Sequence, residues 1–260
     1  MNVVVQPLVD DFEVTIDNGL IKQAKRLVPV FFALYVPAFC VILSLYLVWL
    51  TTDHRISELT RDPLSVMETR IHQARIAADS HIVDSNALLP VQPWLGAVSS
   101  AGIILWTIAG AVALFTSWLI TPQRSMIRTK AGFFLGTGIL SFMLMGDDLF
   151  LLHERVFPES FNLREEFLIG LYAFILISIL YVWRRYILSG DYILLFLALF
   201  FFGISVSIDS MPMDIPQRHF FEDGSKFVGI MTWTMYICRN AVQALNYHFS
   251  RSKSEPVNAS

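Results

Sequence analysis

Residues 146–154 read GDDLFLLHE, placing Asp147, Asp148, His153 and Glu154 in an otherwise apolar run that begins at Ala131. A carboxylate in the hydrocarbon zone of a membrane costs ~2.5–3.5 kcal/mol on insertion scales. Two in succession therefore call for a role. On an uninterrupted α-helix Asp147 and Glu154 share a face, and Asp148 points about 100° away. Ser141 lies on the Asp148 face, two turns deeper. A second polar stretch, residues 207–227, carries Asp209 and then His219, Glu222, Asp223 and Lys226. Those last four stand at i, i+3, i+4 and i+7, near one helical face.

Three kinds of chemistry suit these residues. In the first, the two stretches together bind a divalent metal, zinc or another transition metal, through Asp148, His153, His219, Glu222 and Asp223. Two histidines with several carboxylates fit a partly open hydrolytic site. Glu154 then serves as general base on a bound water, with Asp147 beside it as a second catalytic carboxylate. In the second, Asp147, Asp148, Asp209 and Lys226 line a path for protons or ions, as intramembrane acids commonly do. In the third, Arg155, Arg164, Arg218 and Lys226 pair with the acids and fasten helix ends. Between Asp147 and Lys226 the segments assigned outside hold ten acids and four bases, so pairing alone leaves acids over. Glu159, Glu165 and Glu166 are read as facing water.

The elements that carry these residues are set by composition. The chain has 260 residues, 55% hydrophobic and only 16% charged. An ordinary soluble domain is about 25% charged. The expected fold is all-α, a polytopic integral membrane helix bundle. A crossing helix needs roughly 20 apolar residues, and about six transmembrane helices follow: 28–51, 95–120, 131–152, 166–183, 191–208 and 226–246. Arg239 and Asn240 interrupt the sixth. The loop 52–94 is expected to be partly helical, because Asp62 and Pro63 make a helix start before a run of helical periodicity. Pro37 is expected to kink the first span. The motif Gly132-x-x-x-Gly136, followed by Gly138, marks the third span as central, since small residues let a neighbouring backbone approach.

Lysine and arginine set the orientation. With a cytoplasmic N-terminus, ten fall in inside segments and four in short outside ones. Residues 1–27 are then a cytoplasmic segment, 28–249 the membrane domain and 250–260 a disordered cytoplasmic tail. The N-terminal segment is acidic, unlike a signal peptide, so the first apolar run reads as a retained span. Short loops favour a bacterial inner membrane. Arg239, Asn240, Gln243 and Asn246 form a polar stripe at the inner end of the sixth span, where Arg239 is expected to snorkel to lipid phosphates.

Cys40 and Cys238 lie in apolar runs and form no metal or disulfide motif. No Gly-rich phosphate loop or nucleic-acid motif is present. His153-Glu154 does not open an HExxH motif, because Phe157 stands where the second histidine belongs. A comparison with the alkaline ceramidases stops at Ser141 and Asp148: Met145 replaces their histidine, and the sixth span lacks HxxxH. The sequence points to a metal-dependent membrane hydrolase acting on a lipid-like substrate. The alternatives are an ion- or proton-coupled transporter and a non-catalytic subunit of a membrane complex.

Overall fold

The computed structural model describes residues 20–51, 63–79, 96–120, 130–162, 164–210 and 218–254. It is almost entirely helical. In chain order the helices are α1 (Leu20–Thr51), α2 (Pro63–Asp79), α3 (Ala97–Ile120), α4 (Lys130–Phe150), a π-helical turn (Leu152–Val156), α5 (Phe157–Phe161), α6 (Glu165–Val182), α7 (Arg184–Ser189), α8 (Tyr192–Ser210) and α9 (Arg218–Ser254). Five helices are long and apolar enough to cross a membrane: Ile21–Ser44 within α1, then α3, α4, α6 and Tyr192–Asp209 within α8. They overlap the first five expected spans. The sixth expected span lies inside α9, which is long but does not meet the same measure of apolarity.

Exposed side chains show why these helices belong in lipid. Phe167, Phe174, Ile177 and Tyr181 all stand open on α6. A soluble monomer rarely leaves such contiguous apolar surface in water. The five helices thus suggest an integral membrane protein.

Two boundaries differ from the sequence reading. α1 starts before Pro29 and runs through both Pro29 and Pro37. Gln23 and Leu27 on that earlier stretch are buried, and their packing gives the extra turns a reason to form. α4 stops at Phe150, because Leu151 adopts a left-handed conformation with φ 51°. Asp62 lies outside the described residues.

The chain divides into two compact units. The first comprises Met1–Pro29, Ile108–Leu195 and Met235–Ser260. Its core is aromatic: Phe133 meets Tyr186 edge-on at 5.0 Å and Tyr236 at 6.4 Å. Glycines close the helix contacts around it. A Cβ on Gly138 would lie 2.7 Å from Leu114 Cδ2 and 3.2 Å from the Leu114 backbone nitrogen. Ser117 Oγ donates to the Ala131 carbonyl at 2.8 Å, joining the end of α3 to the start of α4. The second unit comprises Val30–Thr107 and Phe196–Thr234. Trp106 stacks on Phe202 at 5.7 Å and meets Trp233 edge-on. Thr234 Oγ1 donates to the Leu105 carbonyl at 3.1 Å.

Candidate functional site

The break at Leu151 creates the site. A left-handed backbone costs a non-glycine residue roughly 1–2 kcal/mol, and such strain gathers at functional positions. Here it turns the chain into the π-helical turn and folds His153 back onto Asp147. The backbone N–H of His153 donates to Asp147 Oδ1 at 3.0 Å. Its ring Nδ1 lies 2.5 Å from Oδ2. Tyr172 on α6 donates its hydroxyl to Oδ1 at 3.2 Å. Asp147 is 4% exposed, and these three donors offset the desolvation of its charge. His153 Nε2, on the far side of the ring, lies 4.0 Å from Glu165 Oε1.

This arrangement corrects the helical-wheel reading. Asp147 was expected to share a face with Glu154, but an uninterrupted helix is the premise of that pairing and the helix ends at Phe150. The residue that meets Asp147 is His153, six positions on. The side chain of Glu154 lies outside the description. Asp148 is half-buried on α4. Ser141 is fully buried and donates to the Thr137 carbonyl at 2.8 Å. Tyr172 and Glu165 were not anticipated as site residues. Glu165 was read as facing water, and Tyr172 lies in an apolar stretch that carries no local signal.

The second polar stretch belongs to the other unit. Arg218 donates from Nη2 to the Asp209 carbonyl and lies 3.4 Å from its carboxylate, the ion pair expected of helix-end fastening. Burial first, and then the neighbouring Asp223 and Asp209 charges, push the Glu222 carboxyl up to about 7, against the opposing pull of Arg218 and Lys226. The side chain of His219 is outside the description. The expected metal site draws on both units, with Asp148 and His153 in one and His219, Glu222 and Asp223 in the other. Among the described residues no group of three or more His, Cys, Asp or Glu is gathered to hold a metal ion.

A further buried carboxylate escaped the sequence reading. Asp191, at the corner between α7 and α8, is 0% exposed. Arg26 donates to its Oδ1, Arg239 Nε donates to Oδ2 at 2.7 Å, and Gln243 Nε2 donates to Oδ2 at 3.1 Å. Arg239 therefore meets a protein anion through Nε, a partner the sequence reading did not name. Asp191 stands at the start of the fifth expected span, 191–208.

A family model described as a domain of unknown function, DUF8692, matches residues 33–239. The chain belongs to that family. No curated protein and no solved structure matches it. The DUF8692 match takes in Asp147, His153, Glu165, Tyr172, Asp191 and Arg239, whereas Gln23, Arg26 and Gln243 lie outside it.

Proposed function

We propose that this DUF8692 protein is an integral membrane enzyme in which the Asp147–His153 pair transfers protons during hydrolysis of a lipid-like substrate. One observation carries the reading. Asp147 holds His153 by both its backbone N–H and its ring Nδ1. With Nδ1–H committed to the carboxylate, Nε2 is the basic nitrogen. It takes a proton from water as that water attacks a carbonyl, the buried Asp147 charge stabilises the imidazolium that forms, and the imidazolium returns the proton to the leaving oxygen or nitrogen as its bond to the acyl carbon breaks. Tyr172 keeps the carboxylate in place. Glu165 Oε1 stands 4.0 Å from Nε2. The lipid-like substrate follows from the lipid-exposed helix faces beside the site.

Metal assistance belongs to the same proposal. His153 Nε2 and Glu165 offer two donors, one short of the three protein ligands of an open zinc site. The membrane arrangement we favour is six spans with α9 as the sixth, α2 in an outer loop and both termini cytoplasmic, in a bacterial inner membrane. The lysine and arginine distribution supports it.

The test is turnover of fluorogenic lipid esters and amides by the purified protein in nanodiscs. His153→Gln and Asp147→Asn are each expected to lower the rate roughly 10²–10⁴-fold, and elemental analysis of the same samples reads metal content. A second reading, proton-coupled transport, draws on Asp191, a second buried acid with cationic partners. Proton uptake into proteoliposomes without lipid turnover, abolished by His153→Gln, would replace the hydrolase with the transporter. Neither signal would sink both readings.

A further inference from the structure

The proton-transfer site leaves the Asp191 corner unused. One buried carboxylate there holds two guanidiniums, so the trio keeps a net charge of +1. Cations brought together repel, and an ordinary buried pair needs only one of them. Asp191 is also the only acid among residues 20–29, 130–146, 183–195 and 235–254, while Lys22, Lys25, Arg184 and Arg185 stand exposed there. Membrane topology accounts for the exposed bases. It does not account for two arginines drawn onto one aspartate.

The trio is open at its edge. The Arg26 side chain is 46% exposed and that of Arg239 25%. Arg239 meets Asp191 through Nε, which leaves its two Nη groups as a fork for a further acceptor. Gln23, one turn before Arg26 on α1, is 1% exposed. Its Nε2 donates to the Gly190 carbonyl at 2.5 Å, but its buried Oε1 has no partner. An acceptor left so costs about 1–3 kcal/mol. Gln23 and Arg26 thus bring an unsatisfied acceptor and a cation to the same corner.

We propose that the Asp191 corner binds a phosphate-bearing anion, its phosphate held by Arg26 and Arg239 and a hydroxyl of the same molecule donated to Gln23 Oε1. An anionic phospholipid with a hydroxylated headgroup and a soluble phosphate ester share this chemistry. In either case Asp191 is a positioning residue that aims the two guanidiniums.

Native mass spectrometry of the full chain tests this, using phosphatidylglycerol, phosphatidylmethanol and phosphatidylcholine as probes. Wild type is expected to retain phosphatidylglycerol over phosphatidylcholine by about tenfold, the worth of one charge-assisted hydrogen bond. Arg239→Gln leaves a neutral Asp191–Arg26 pair, so it is expected to fold and to lose that preference. Gln23→Leu removes the unsatisfied acceptor. It is expected to keep the preference for anionic lipid but to lose the preference for phosphatidylglycerol over hydroxyl-free phosphatidylmethanol. Displacement of lipid by glycerol 3-phosphate would assign the site to a soluble ester, and resistance to displacement would assign it to lipid. Equal retention of all three lipids with no binding of glycerol 3-phosphate overturns the proposal. So does an unchanged preference in folded Arg239→Gln.

Discussion

Asp147, Asp191 and Glu222 are acids withdrawn from water, and each is answered by different neighbours. Asp147 has uncharged or weakly basic donors, Asp191 has two guanidiniums, and Glu222 has Asp223 and Asp209 close by with Arg218 and Lys226 opposing them. Burial and the neighbouring acids work against ionisation of Glu222. With its carboxyl raised to about 7, Glu222 binds a proton in the folded chain at pH values where the unfolded chain has released it. Below the unfolded value both states are protonated and the difference vanishes. Stability therefore falls as pH rises from about 4.5 to about 7. Thermal unfolding in detergent across that window is expected to show the decline in wild type and a flatter profile in Glu222→Gln. Equal slopes would show that the Glu222 proton is not linked to folding. These neighbourhoods explain what was legible. GDDLFLLHE stood out because charge in an apolar run is costly. Asp191 did not, because its partners Arg26 and Arg239 lie 165 and 48 positions away, and no spacing rule connects such distances.

At the level of elements, five apolar helices could be read directly, because hydrophobic length is written locally in the chain. The end of α4 could not. Nothing in Leu-Phe-Leu-Leu-His announces that Leu151 will turn left-handed, and that turn decides which acid His153 meets. The glycine motif was legible as a mark of close packing but not in its details. A Cβ on Gly136 would make ordinary contact with Ile179 at 3.5 Å, whereas Gly138 faces Leu114 at sub-contact distance and Gly110 faces the Phe142 ring at 2.8 Å. The critical glycine of α4 is therefore Gly138, outside the GxxxG pair. Gly138→Ala forces the α3 backbone away at Leu114 and is expected to cost about 1–3 kcal/mol, the range for overpacked cores. Gly136→Ala is expected to be milder. Chemical denaturation in mixed micelles compares the two, and a Gly138→Ala variant as stable as wild type would show that α3 gives way freely.

For the whole molecule, the number of crossings turns on α9. Its 37 residues span about 55 Å at helical rise, well beyond a hydrocarbon core of ~30 Å. Several of its polar side chains between Thr232 and Gln243 are met by protein partners. In one unit Arg239 and Gln243 meet Asp191. In the other, the Thr232 hydroxyl lies 3.0 Å from that of Tyr35, and Thr234 reaches the Leu105 carbonyl. Trp233, Tyr236 and Ile237 are fully or almost fully buried along the same helix. A helix that buries part of its circumference in protein need not be apolar on every side, since hydropathy scores its exposure to lipid and not its depth. Six crossings place both termini on one side, and five place them on opposite sides. Reporter fusions at each end are expected to be active in the cytoplasm, and a single cysteine at Ser160→Cys, in a background lacking Cys40 and Cys238, is expected to react with an impermeant reagent from outside. Termini on opposite faces would remove α9 from the membrane. Termini together but outside would keep six spans and invert them, moving the His153 site to the cytoplasmic face and with it the side from which substrate arrives.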